Sequence, residues 1–168
     1  MMPLPAIPNG SDLFVDANIL VYAIERRSAE CRALLERCSR EEITGICSYS
    51  VLIEATYQLM VAEARRKGHL PAVGGNPGKF LRQNPVIASV LRDYWIDVDR
   101  IFSLNLLFLE ADEPILRQAQ IERENAGLLP MDSVIVSCMR SYGVSMLATR
   151  DADFERVNGI QVYQPTDI

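Results

Sequence analysis

Leu13-Phe14-Val15-Asp16-Ala17-Asn18-Ile19-Leu20 decides the fold. Three apolar residues with β preference run straight into an aspartate, and an apolar pattern at helical spacing resumes over residues 19–24. An uninterrupted apolar strand belongs inside a sheet that helices cover on both faces. The same grammar returns near the end of the chain: residues 144–148 form a second apolar strand, followed by Thr149, Arg150 and Asp151. An isolated carboxylate is costly to bury. Asp16 and Asp151, each just past a buried strand, therefore need something to hold.

Between these two strands the elements alternate. Residues 28–38 read as a helix with Leu34, Leu35 and Cys38 on one side, and residues 43–47 as a short strand ending at Ser48. Ser48 is placed to cap a long helix in which Val51, Leu52, Ala55, Leu59 and Ala62 recur, ending near Gly68. Residues 68–85 hold Gly74, Gly75, Asn76, Pro77, Gly78 and Asn84, which predicts a long connecting loop. Residues 86–95 place Ile87, Val90, Leu91 and Tyr94 on one helical face, and residues 104–109 form another apolar run. Ile115, Ala119 and Glu122 mark a helix broken at Gly127. Pro130 opens a further helix closed by Gly143. Residues 151–157 suit a short helix, and residues 160–163 alternate like an edge strand before Pro165. Strands alternating with helices give an α/β fold with a mostly parallel central sheet. Functional sites in such sheets lie beyond the carboxyl ends of the strands, where Asp16, Ser48 and Asp151 all fall.

Two more acids sit within reach of that edge. Glu54 lies between Ile53 and Ala55, too deep in its helix to cap it, and Asp132 falls in the first turn after Pro130. Each acid also has an ordinary reading. Asp16 suits a turn, Asp151 and Asp132 suit the start of a helix, and Glu54 and Asp153 suit a solvated helix face. Four carboxylates converging on one spot instead imply a hard cation, Mg²⁺ or Mn²⁺, because every ligand is oxygen.

The chain has 168 residues, 49% of them hydrophobic, which suits one compact domain over 1–168 with residues 1–12 as a loose N-terminal extension. Those first residues lack the features of a secretion signal, and no apolar run is long enough to span a membrane, so the expected location is cytoplasmic. Cys31, Cys38, Cys47 and Cys138 follow no metal-ligand spacing. Cys31 and Cys38 on one helix would stand roughly 10 Å apart, beyond disulfide reach. The net charge of −5 argues against a protein that coats nucleic acid through bulk electrostatics, but not against a nuclease whose own pocket is acidic. Basic residues group at Arg65, Arg66 and Lys67, at Lys79 and Arg82, and along the first helical region at Arg26, Arg27, Arg32, Arg37 and Arg40; solvated helix faces are the ordinary reading of any one group, and the RNA-binding expectation rests on Arg65, Arg66, Lys67, Lys79 and Arg82 acting in combination. A single histidine, His69, leaves no histidine pair for metal-free RNA cleavage, and neither a nucleophile elbow nor a phosphate-cradling Gly-rich turn is present.

Taken together, Phe14-Val15-Asp16-Ala17-Asn18-Ile19-Leu20, Ser48 with Glu54, Pro130-Met131-Asp132-Ser133, and Leu147-Ala148-Thr149-Arg150-Asp151-Ala152-Asp153-Phe154 resemble a PIN domain, and most closely the VapC-like toxins. The resemblance implies a three-layer α/β/α sandwich and a Mg²⁺- or Mn²⁺-dependent endoribonuclease. It also implies a homodimer and a small antitoxin protein as partner. It places Asp16, Glu54, Asp132 and Asp151 in an acidic quartet, with Asp153 as a further acid, and Asn18, Ser48 and Thr149 as supporting polar residues. The 68–85 connection and the start of the chain look longer than in compact toxin members. Two rival readings are a non-catalytic domain serving assembly or RNA binding, and a Mg²⁺-dependent phosphatase with Asp16 as nucleophile. The phosphatase would want a carboxylate where the chain has Asn18.

Overall fold

A computed structural model describes residues 1–71 and 73–168. Its sheet contains β1 (Met2–Pro3), β2 (Asp12–Val15), β3 (Thr44–Ser48), β4 (Leu107–Leu109), β5 (Met146–Ala148) and β6 (Gln161–Gln164). The strands stand in the order β1-β6-β5-β2-β3-β4, and every neighbouring pair is parallel. The helices are α1 (Ala17–Ile24), α2 (Ala29–Ser39), α3 (Tyr49–Arg66), α4 (Pro77–Gln83), α5 (Pro85–Val90), α6 (Asp93–Phe102), α7 (Glu113–Ala126) and α8 (Pro130–Ser141). Leu13, Phe14 and Val15 are fully buried although they alternate between faces, so the helices cover the sheet on both sides. The α/β expectation holds.

Chain order runs from β2 out to β3 and β4 at one edge, then returns to β5 on the opposite side of β2. The order therefore reverses between β2 and β5, and sites in sheets of this kind lie beyond the carboxyl ends of the strands at such a reversal. The Asp16 N–H donates to the Ala148 carbonyl at 3.0 Å there, fixing the end of one strand against the other.

Residues 1–12 are not a loose extension. Met2–Pro3 pairs with β6 in parallel, and Leu4 and Ile7 are buried in the main core. It follows that β6 is an interior strand, bonded to β5 on one side and β1 on the other, rather than the predicted edge. The 68–85 connection is corrected too. It contains α4, whose first turn is capped by Asn76 accepting from the Lys79 N–H at 2.9 Å, with Pro77 at the first helical position. Residue 72 lies outside the described residues. The helix expected over 86–95 is two helices, broken at Leu91 and Arg92.

The break has a specific cause. Glu63 of α3 is fully buried and accepts from the Arg92 N–H at 3.0 Å and the Tyr94 N–H at 2.9 Å, capping α6 from outside. Burial works to raise its pKa, but the Lys67 ammonium and these N–H donors outweigh it and hold the carboxyl down at about 2. Lys67 is bound to both Glu63, at 2.5 Å, and Asp93, at 3.1 Å. This clamp joins α3 to the start of α6 under a second small core of Val61, Ala64, Leu70, Leu81 and Leu91.

Close packing constrains β3. A Cβ added at Gly45 would run into Leu106 and stand 2.9 Å from the Cys38 sulfur. Gly45→Ala is expected to destabilise the protein by about 1–3 kcal/mol, read as a lower denaturation midpoint in urea with unchanged slope.

Candidate active site

Asp16 is the first residue past β2 and the N-cap of α1. Only 7% of its surface is exposed. One carboxylate oxygen accepts from the Ala17 N–H at 2.7 Å; the other accepts from the Thr149 hydroxyl at 2.6 Å and from the Asn18 amide. The Thr149 Oγ1 in turn accepts from the Asn18 amide and the Asp151 N–H, both at 3.0 Å, and the Asn18 Oδ1 accepts from the Arg150 N–H at 3.1 Å. Asn18 and Thr149 thus tie the end of β2 to the turn after β5.

Burial pushes the Asp16 carboxyl up to about 6, against the lowering effect of Thr149 and Ala17, and the charges of Glu54 and Asp132 push the same way. Asp132 is also raised. Burial is the main cause, followed by the charges of Asp151, Glu54 and Asp153. Asp132 therefore lies within electrostatic reach of Asp16, Glu54, Asp151 and Asp153, and Asp16 within reach of Glu54 and Asp132. These acids do not all face the same fate. Asp153 forms an ion pair with Arg156 at 2.9 Å, whereas Asp16, Glu54, Asp132 and Asp151 enter no ion pair among the described residues.

Local structure explains how each acid is presented. Ser48 is fully buried, caps α3 by accepting from the Val51 N–H at 3.3 Å, and shares a 2.8 Å hydrogen bond with Ser50. That cap sets the direction of the helix carrying Glu54, whose Oε1 accepts from Gln58 at 3.1 Å. Pro130 starts α8, and the Ser133 hydroxyl donates back to the Pro130 carbonyl at 2.7 Å while accepting from Arg123 at 3.0 Å, which fixes the turn bearing Asp132. Asp151 caps the short 3₁₀ helix Ala152–Arg156 by accepting from the Asp153 N–H at 2.8 Å. Ser50, Gln58 and Arg123 were not foreseen. Their partners are two, four and ten residues away, and nothing in residue type alone marks them.

Among the described residues, no three His, Cys, Asp or Glu side chains converge closely enough to ligate one ion together as they stand. Mg²⁺ does not require that they do. It keeps several waters and binds through one or two carboxylates, so acids farther off act through ordered water. The donor set fits such an ion: carboxylate oxygens only, a buried Asp16 whose charge is disfavoured, and three neighbours without counter-ions. A divalent cation is the partner that this combination of burial and mutual repulsion would favour.

The basic residues separate into two groups. Arg66 pairs with Glu25, and Lys67 with Glu63 and Asp93, so these are engaged within the fold. Arg65, Lys79 and Arg82 are exposed and enter no ion pair among the described residues.

Comparison with known proteins bears on the fold and the family. The chain is 24% identical over 154 residues to Ribonuclease VapC2 of Methanocaldococcus jannaschii, covering 90% of this chain and 93% of that protein. Its structure is similar to that of VapBC2 from Rickettsia felis, solved bound to a DNA fragment from their promoter. The TM-score is 0.59 and the identity 20%, covering 91% of this chain and 98% of that one. A toxin-antitoxin complex from Klebsiella pneumoniae matches with a TM-score of 0.55 and 18% identity, over 90% of this chain and 96% of that one. At such identities the structural likeness establishes the fold. The PIN domain profile itself matches residues 13–160, from the start of the strand that presents Asp16 to the threshold of β6, and the chain belongs to the PIN domain family.

Proposed function

We propose that this protein is a divalent-metal-dependent endoribonuclease of the cytoplasm, acting as the toxin of a toxin–antitoxin pair. One observation carries the reading: a buried Asp16 whose carboxyl is pushed up to about 6, with Glu54 and Asp132 near enough to push it further and without counter-ions among the described residues, at the carboxyl ends of the strands where the order reverses. The Methanocaldococcus relative is named a ribonuclease and the Klebsiella neighbour a toxin-antitoxin complex, which supports RNA as substrate and a small antitoxin as partner. A homodimer belongs to the same reading.

Mg²⁺ or Mn²⁺, when bound, supplies a water made nucleophilic near neutral pH and positive charge against the charge developing on the phosphoryl group. Asp16 and Asp132 would hold the ion. Glu54 and Asp151 would complete the set, directly or through ordered water, and one of them would accept a proton from the attacking water. Asn18 and Thr149 fix the Asp16 carboxylate in one orientation, and the Thr149 bond to the Asp151 N–H keeps the two acid-bearing turns in register. Asp153, engaged by Arg156, contributes negative field rather than a ligand.

The reading is tested with an unstructured RNA. Fragments should accumulate with Mg²⁺ or Mn²⁺ and stop on adding a chelator; RNA that stays intact with either metal overturns it. Thr149→Val removes the hydroxyl that bonds Asp16 at nearly constant volume. It is expected to weaken Mn²⁺ binding by roughly 10–100-fold, measured by titration calorimetry.

A further inference from the structure

Sorting the basic residues by their partners singles out one cleft. It has a volume of about 300 Å³ and runs between α1 and α3, with Arg27, Arg65, Tyr57 and Gln58 in its lining and Pro77 of α4 at its end. Its one acid, Glu25, is neutralised by Arg66. The Arg27 guanidinium lies 4.5 Å from the Tyr22 ring centroid, held in place by the aromatic face, and like Arg65 it enters no ion pair among the described residues. The cleft therefore carries two uncompensated guanidinium groups in a protein of net charge −5.

The cleft also connects to the acids. Gln58 lines it and donates to Glu54 at 3.1 Å, so it begins one helical turn beyond the acidic centre. Gln58 and Arg65 follow Glu54 at four and eleven residues on α3, which keeps all three on one side of the helix. At 1.5 Å per residue, Arg65 lies roughly 16 Å along the axis from Glu54. A stacked strand advances about 3.4 Å per nucleotide, so that distance corresponds to at most about five nucleotides, fewer if the strand is extended. The walls include Val21, Val61 and Ala62, which suit sugar and base faces better than a hydrated duplex backbone.

We propose that Arg27 and Arg65 bind the backbone phosphates of an unpaired RNA strand a few nucleotides from the bond being cut, the α1–α3 cleft serving as the rail that leads the strand into the acidic centre. This rests on the nuclease reading above. The rail, rather than the acids, then supplies the affinity for RNA and sets how long a substrate must be.

The test uses the full chain carrying Asp132→Asn, so that binding is read without cleavage, and a fluorescent unpaired RNA ten nucleotides long in Mg²⁺. On that background Arg27→Gln and Arg65→Gln should each weaken binding and lower the slope of log affinity against log salt by about 0.7, and the pair by about 1.4. Arg117→Gln, an exposed arginine on α7 outside the cleft and paired with Glu113, should leave the slope alone. In the otherwise wild-type protein the same two variants should raise KM for the long RNA and have no effect on substrates trimmed to two nucleotides on one side of the cut. Slopes equal to those of the parent, with active cleavage by the wild type, overturn the rail and leave the nuclease reading standing. Loss of binding to a protein partner without any change in the RNA slope also overturns it, and assigns the cleft to that partner. Arginine-dependent RNA slopes in a wild type that cuts no RNA with either metal would leave the cleft an RNA-binding surface and overturn both the nuclease reading and the rail that rests on it.

Discussion

Asp132→Asn is expected to lower metal-dependent RNA cleavage by more than about 100-fold while leaving the protein folded, because replacing a ligand costs more than the 10–100-fold typical of removing a residue behind one. The two halves of that expectation have separate causes. Asp132 is half-buried and its carboxyl is raised by burial and by the charges of Asp151, Glu54 and Asp153. Neutralising it relieves repulsion in the metal-free protein, so stability should be unchanged or slightly higher. The same neutralisation removes a charge that would hold the cation, and a neutral amide oxygen is a weaker donor to a hard dication. Cleavage of an unstructured RNA, followed beside a thermal melt, reads both. Asp153→Asn is the informative contrast: its side chain is already paired with Arg156, so a loss of less than about tenfold is expected. Full activity in Asp132→Asn would remove this residue from the reaction, and equal losses in the two variants would make the effect one of overall field rather than of position.

How much of this was legible in the sequence depends on how far apart the interacting residues lie. Asp16 and Asp151 could be read because each ends an apolar strand, and Ser48 and Pro130 because caps and helix starts have local signatures. The pairing of β1 with β6 could not, since a Met-Pro strand of two residues has no periodicity and its partner lies near the other terminus. The α4 helix did have a signal, Asn76 followed by Pro77, which the neighbouring glycines Gly74, Gly75 and Gly78 outweighed. Helical glutamates are the instructive case. Glu54, Glu63 and Glu122 all sit in apolar helical patterns. Glu63 is answered by Lys67 four residues on, which is visible in sequence, but Glu122 is answered by Arg140 on another helix at 2.7 Å, which is not. Residue type and local pattern find the acids; only the fold tells which are neutralised within it and which remain to act.

The same distinction predicts an unusual pH dependence of stability, centred on Asp16. Its folded carboxyl stands at about 6 against an ordinary value of 3.8, so the folded state binds the proton more tightly than the unfolded chain does. Stability from this group is therefore fully present below pH 3.8 and is lost as pH rises through about 6. The gap corresponds to about 3 kcal/mol between the two limits, or very roughly 6–12 °C in Tm for a chain of this size. Other carboxylates oppose the trend: Glu63 is held down at about 2 by Lys67 and the α6 N–H groups against the effect of burial, so its contribution fades as pH falls. The comparison that isolates Asp16 is consequently between wild type and Asp16→Asn, melted in chelator at several values between pH 4 and 8. The variant should be the more stable of the two above pH 6, with the difference vanishing toward pH 4. Adding Mn²⁺ at pH 7.5 should then raise the Tm of wild type, because a ligand that binds only the folded, ionised site stabilises it by mass action. It should do far less for Asp16→Asn. If wild type and variant instead follow parallel curves and respond equally to Mn²⁺, Asp16 neither carries the cost of burial ascribed to it nor holds the ion that would relieve that cost.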